Sequence, residues 1–311
     1  MSAWPYILLV LGLVWLVIEL RTGRPDGTFV PVHPYRRMLA FITPSAAAST
    51  VTFDMRVPAD PLLAYLDDAH PIFGAHLTHA VVAAGYVALS EVPRMNRFVA
   101  GKRLYQRHGE WVTFSMKRKK LDRSAKIAMV KDRLVPGETF RELCARMDGR
   151  IDEQRADAPT HEDREYGILD SLPRPFLAGA VALARWLDHH GLLPGWFMAG
   201  DGLFTSLVVA NLGSLGMGAG YHHLYEWGNC PLFLVVGAVE ASVAVVDGEM
   251  VVRKELPLRF TYDERIDDGL NARFGLEAVV RVLSHPREEL GCLTDDGSDA
   301  VALDRGRPGA G

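Results

Sequence analysis

The sequence predicts a mixed α/β domain, a mainly β core with helices on one side, preceded by an N-terminal apolar helix. Three observations predict it. Short runs such as 49–57 and 205–214 are rich in β-branched and aromatic residues, the composition of strands. Longer segments at 138–155, 176–190 and 270–283 carry apolar residues at helical spacing. Nearly half of the 311 residues, 49%, are hydrophobic, enough to bury one large core.

The elements follow in order. Residues 3–18 carry no charge and are mostly Leu, Val, Ile and Trp, and Glu19 interrupts the run. A bilayer span needs about 20 apolar residues, so this one is short. Trp4, Tyr6 and Trp15 stand near its ends, where interfacial aromatics gather. Arg21, Arg24, Arg36 and Arg37 follow it, which by the positive-inside rule keeps the downstream domain on the cytoplasmic face. A basic leader and a small-x-small cleavage site are both missing, against a signal peptide. The expectation is a membrane anchor over residues 1–20, touching lipid through 3–20. The same composition also suits a helix packed on the domain or a partner. Residues 21–31, rich in Gly, Pro and Arg, are expected as a linker.

The domain is expected over 32–293. It opens with a strand at 49–57 and helices at 61–68 and 76–89, the second apolar enough to be buried. Residues 103–119 predict two strands joined at His108-Gly109. A helix follows at 138–155, then an acidic loop at 157–164. A helix at 176–190 stops at Gly191. A buried strand, 205–214, runs into a glycine turn. Three strands come next, with Asp247-Gly248 as a hairpin turn. The last helix is at 270–283, and the Asp/Gly/Arg-rich tail at 294–311 is expected to be disordered.

Bulk properties narrow the function. A net charge of −4 suggests no nucleic-acid partner. Cys144, Cys230 and Cys292 lie far apart. They give no disulfide framework and no CxxC knuckle, and suit a reducing compartment. Cys230 is a nucleophile on count alone and more simply a buried hydrophobe. The G-x-x-G-x-G spacing in NLGSLGMGAG is no dinucleotide signature, because no helix with a following ribose-binding acid is evident. His189-His190 read as a helix end complementary to the dipole.

Four stretches carry a family resemblance. TYDERIDDGLNARFGLEAVVRVL at 261–283 is similar to the C-terminal signature of 2-oxo acid dehydrogenase acyltransferase subunits, Asp-His-Arg, two variable residues, Asp-Gly and a helix. SLVVANLGSLGMGAG resembles their Asn-Leu-Gly strand and turn. HPYRRMLAFITPSAAASTVTFDMRV looks like their N-terminal entry, and MNRFVAGKRLYQRHGEWVTFSMKRK like their middle strands. The likeness covers about 32–290, without a lipoyl or subunit-binding domain before it. It implies a chloramphenicol acetyltransferase-like fold and a homotrimer with active sites between subunits. It also implies a thioester donor such as acyl-CoA, with no permanently bound cofactor. In the family a histidine base deprotonates the acceptor and a serine or threonine hydroxyl steadies the oxyanion.

Both catalytic positions depart from that pattern. The histidine position holds Glu264 and the hydroxyl position Ala210. A glutamate is a weaker base by about two pKa units. Glu264 is therefore read either as a substitute base or as an ion-pair partner of Arg265 or another arginine. Ser206 lies about 13 Å along the strand from position 210 and cannot replace its hydroxyl. Asp268 is expected to pair with Arg36 or Arg37. Asp263, Arg265, Gly269 and Asn211 are expected to organise the site. His222 and His223, in GYHHLYEWGN, are candidates for a relocated base; a hydrogen-bonded turn is the plainer reading, and a metal site lacks a third ligand. Two functions remain: an acyltransferase with a non-standard site, or an inactive trimeric scaffold or acyl-thioester-binding protein.

Overall fold

The structure, a computed structural model, describes residues 3–117, 127–155 and 173–306. It has the mixed α/β architecture that the sequence predicts. The helices are α1 (Trp4–Leu20), α2 (Pro34–Ile42), α3 (Ala59–Phe73), α4 (Leu77–Glu91), α5 (Phe140–Arg155), α6 (Arg174–His189), α7 (Gly195–Gly200), α8 (Gly269–Ser284) and α9 (Pro286–Leu290). The strands are β1 (Gly27–Phe29), β2 (Thr50–Pro58), β3 (Arg97–Ala100), β4 (Arg103–Arg107), β5 (Trp111–Lys117), β6 (Ile127–Arg133), β7 (Leu207–Asn211), β8 (Leu232–Val236), β9 (Glu240–Val246) and β10 (Glu249–Asp263).

The main sheet runs β2-β10-β8-β7-β5-β6, and β9 pairs with the first half of β10. β7 lies parallel to β5 and to β8, and the other pairs are antiparallel. One face of the sheet is covered by helices. Leu258, Phe260 and Tyr262 of β10 and Val209 of β7 share a core with α4 and α8. Full burial of each such side chain contributes about 1.5–3 kcal/mol. α4 comes close because Gly85 has no Cβ: one would lie 2.8 Å from Leu207 Cδ2. The opposite face of the sheet holds Val208, Phe233 and Val235, covered by Leu224 and Cys230. Segment 212–231 therefore forms a lid on that face.

Residues 21–31, expected as a linker, are tied into the fold. β1 pairs with β4 in a small sheet, β1-β4-β3. Buried Arg24 bonds Asp26 at 2.7 Å and Asp188 at 2.8 Å, with its guanidinium 5.1 Å from the Phe98 ring centroid. The tail also packs as far as it is described. Leu303 is fully buried and its N–H donates to the Glu138 carbonyl at 2.9 Å. The acidic loop expected at 157–164 lies outside the described residues.

α1 has 17 residues and none is buried. It meets the domain at its C-terminal end, where Trp15 lies 5.5 Å from the His190 ring and Glu19 Oε2 3.5 Å from His190 Nδ1. Among the described residues no single helix is long and apolar enough to cross a membrane. At about 1.5 Å per residue α1 is about 25 Å long, a few ångströms short of a typical hydrocarbon core.

Candidate active site

The end of β10 and the start of α8 carry the acidic cluster. Asp263 is buried and held by Arg265, whose Nε and Nη2 donate at 2.9 and 2.8 Å, and by Ser49 Oγ at 2.8 Å. Arg265 also reaches the Thr43 carbonyl at 3.3 Å. This pair joins the end of the sheet to the segment before β2. Glu264 points to solvent. Its backbone N–H donates to Ser49 O at 3.0 Å, and its carboxylate forms no ion pair among the described residues. The expected pairing of Glu264 with Arg265 is thus not made, because Asp263 occupies that guanidinium.

Asp268 does not pair with Arg36 or Arg37. It stands in extended backbone as the N-cap of α8 and accepts from Asn271 N at 3.2 Å. That bond holds its carboxyl below the usual range, the second-largest influence, burial, acting the other way. The inward neighbour Asp267, 2% exposed, takes the arginines: Arg97 at 3.2 Å, Arg94 at 3.4 Å and Arg36 at 3.7 Å. A capping side chain must turn outward to its own helix's first N–H groups, so the buried partner falls one residue earlier. Arg37 is exposed and forms no ion pair among the described residues. Gly269 opens α8, and a Cβ there would meet nothing within 4 Å.

Asn211 holds the glycine turn. Its Nδ2 donates to Thr78 Oγ1 at 3.0 Å, and its Oδ1 accepts from Ser214 N at 3.0 Å. Gly213 is required by close approach, since a Cβ would lie 2.3 Å from Gly237 O. A short 3-10 turn follows, not the helix of a nucleotide loop. Ser206 is buried on Asn96 Oδ1 at 2.6 Å and donates nothing to position 210. A nearer hydroxyl escaped the sequence reading: Ser115 of β5 is directly opposite Ala210 in the parallel register. Register partners share a sheet face about 4.8 Å apart. Only the pairing of β5 with β7 could reveal this, and 95 residues separate the two.

The registers also separate Ala210 from Glu264. Ala210 is level with Val235 of β8, whereas Thr261 is level with Phe233 and β10 runs the other way. Glu264 therefore lies about five residues back along the sheet and two strands across, roughly 19 Å away. Within one protomer these two positions do not meet.

His222 sits between them, over the sheet. Its ring stacks on Phe233 with centroids 3.9 Å apart, and on His223 at 5.0 Å. Thr261 Oγ1 donates to the His222 carbonyl at 2.7 Å. His222 Nδ1 lies 2.6 Å from the His223 carbonyl oxygen. A carbonyl only accepts, so Nδ1 carries the hydrogen, and in the neutral ring Nε2 is left with its lone pair. His223 is exposed. Glu226 Oε1 accepts from Ala47 N at 3.0 Å and ties the far end of the lid to the body.

A cleft of about 530 Å³ opens beside this loop, bordered by Lys102, Arg185, Tyr225, Cys230, Asp263 and Arg265. Cys230 is buried, which pushes its thiol up to about 11 and disfavours the thiolate, the reactive form. Among the described residues no group of His, Cys, Asp and Glu is placed to hold a metal ion.

No protein-family model and no curated protein matches this sequence. Solved structures do. The dihydrolipoamide acetyltransferase of Azotobacter vinelandii, studied for the catalytic roles of a serine, a histidine and an asparagine, superposes with a TM-score of 0.54 at 16% identity, over 85% of this chain and 95% of that one. The cubic core of a pyruvate dehydrogenase multienzyme complex gives the same values. A truncated catalytic core of the 2-oxoacid dehydrogenase complex of Thermoplasma acidophilum gives 0.52 at 14%, over 83% and 98%. The chain has the fold of the dihydrolipoamide acyltransferase catalytic cores, the chloramphenicol acetyltransferase-like fold expected from its motifs.

Proposed function

We propose that the protein transfers an acyl group from a thioester donor, an acyl-CoA, to a thiol or hydroxyl acceptor, with His222 as general base. The observation that carries this is the Nδ1 contact to the His223 carbonyl, which leaves Nε2 as a fixed proton acceptor on the sheet face. Ser115 is the candidate oxyanion donor in place of the hydroxyl lost at Ala210. Stacking on Phe233 fixes the imidazole plane, and Asn211 and Asp263 hold the surrounding backbone.

The working unit in this reading is a homotrimer. Two observations support assembly: Ala210 and Glu264 lie far apart within one protomer, and the β9–β10 hairpin exposes an apolar ladder. In that ladder Val243 faces Val252 and Val245 faces Met250, all 68–81% exposed. We further propose that α1 anchors the protein to a membrane with the domain on the cytoplasmic side. Its apolar circumference and its lack of any buried residue support this, and its length calls for local thinning or an interfacial pose.

Calorimetry with CoA and short acyl-CoAs tests the reading. Micromolar binding that prefers the acylated form, and loss of transfer in His222→Gln with binding kept, are expected. Binding without transfer to any thiol or hydroxyl acceptor would favour a trimeric acyl-thioester-binding protein. The solvent-facing Glu264 and the purely capping Asp268 support that second reading.

A further inference from the structure

α6 has 16 residues and, like α1, none of them is buried. One side rests on the body, where Ala184 and Leu187 pack near Phe204 and Met198. Phe176 and Leu183, at i and i+7 on the same stripe as Leu187 but farther towards the N-terminal end of α6, are 67% and 57% exposed, with Ala180 between them. The apolar strip continues at both sides. The Trp186 ring lies tilted against His190 with centroids 4.7 Å apart, and Trp15 of α1 meets the same ring. On α7, Trp196 is 71% exposed. Two helices without a buried residue meet at His190, and exposed apolar side chains grouped in this way mark an interaction surface.

Cations collect where the two helices meet. Arg21 and Arg185 are exposed, and the 101–103 turn, bearing Lys102 and Arg103, abuts the C-terminal end of α6. Glu19 answers Arg103, and Arg24 is spent on Asp26 and Asp188. Lys102 and Arg185 have no acidic partner among the described residues. An apolar helix face beside exposed cations fits a bilayer surface with anionic headgroups.

We propose that α6 is a second membrane contact, lying in the headgroup–acyl boundary of an anionic bilayer beside α1. The proposal rests on the anchor reading of α1. In this pose the cleft bordered by Lys102 and Arg185 opens at the membrane surface, within reach of a lipid-borne acceptor.

The test uses the full chain with Leu183→Cys carrying an environment-sensitive fluorophore. The three native cysteines are buried and stay unlabelled. Protein is reconstituted with phosphatidylcholine vesicles, with or without one third phosphatidylglycerol, and flotation scores anchoring independently. The expected result is a blue-shifted, severalfold brighter emission that brominated lipid quenches, stronger on the anionic vesicles. Lys102→Gln with Arg185→Gln should lower that preference severalfold. A Glu249→Cys probe on the β9–β10 hairpin should stay unquenched. If the protein floats but the 183 probe behaves like the 249 probe, the proposal is overturned. It is equally overturned if the probe responds to protein concentration without lipid, since a second copy then covers α6. Failure to float removes the anchor reading and this proposal together, and leaves acyl-CoA binding, measured separately, untouched.

Discussion

His222 Nδ1 is bonded to the carbonyl oxygen of the next residue, His223, at 2.6 Å. A side chain and its neighbour's backbone thus choose the tautomer before any substrate arrives. Only Nε2 can then take a proton, and the stacked Phe233 ring sets the direction in which it does so.

With His222 as the proposed base, its replacement should cost rate and not binding. His222→Gln should lower the transfer rate by about 10²–10⁴-fold, the usual worth of a general base, with acyl-CoA affinity within a few-fold of wild type. His223→Ala keeps the backbone carbonyl and should lose far less. Steady-state rates with calorimetric affinities check both. Equal losses in the two variants would mean that the pair is only a stacked turn.

Asp267 is the buried centre of three arginines. Asp267→Ala strands Arg36, Arg94 and Arg97 around an apolar gap, and breaking a buried pair costs about 3–5 kcal/mol. Asp268→Ala removes only a helix cap, about 1 kcal/mol. Chemical denaturation of the two variants should show that order. The reverse order would return the pairing role to Asp268.

Acid should weaken the fold through His79. This residue is 2% exposed, and burial lowers its pKa, with Asp148 at 3.4 Å opposing. A lowered folded-state pKa means that the unfolded chain binds the proton more readily. The stabilisation is complete above the unfolded value of about 6.5 and is lost as pH falls below it. His189, also lowered chiefly by burial, acts with the same sign. Melting curves from pH 7.5 to 5 should fall for wild type and fall less steeply for His79→Gln.

The hairpin ladder predicts assembly. Val245→Lys with Met250→Lys places two charges on facing positions of an exposed apolar surface. The variant should remain folded and sediment as a monomer, whereas wild type is expected to sediment as the proposed trimer. A trimer that survives both charges would locate the contact elsewhere.

Most of the fold was legible because its signals are local. Asp247-Gly248 forms the expected turn, with φ of 52° and 87°, between strands in simple antiparallel register. α4 was readable as buried because nearly every residue in it is apolar. The misreadings are long-range. Arg24 looks like a linker arginine until Asp188, 164 residues on, comes to meet it. Composition cannot show that Leu303 finds the core, nor that Ser115 lies beside Ala210. The Asp268 pairing failed by one residue, because sequence spacing does not say which of two adjacent aspartates turns outward.

That separation of local from long-range information bears on the last variant. Glu264→His with Ala210→Ser restores the family pattern at both altered positions. The registers hold those positions roughly 19 Å apart in one chain. A histidine and a hydroxyl must both approach one thioester carbonyl, within hydrogen-bond reach of the reacting atoms. The restored pair can therefore act only across a subunit boundary. The double variant should raise acyl transfer above wild type by about tenfold or more as a trimer. Combined with Val245→Lys and Met250→Lys, it should lose that gain while binding of acyl-CoA to each folded monomer changes little. A gain that persists in the monomer would mean that the chain folds the two positions together, against the register of β7, β8 and β10.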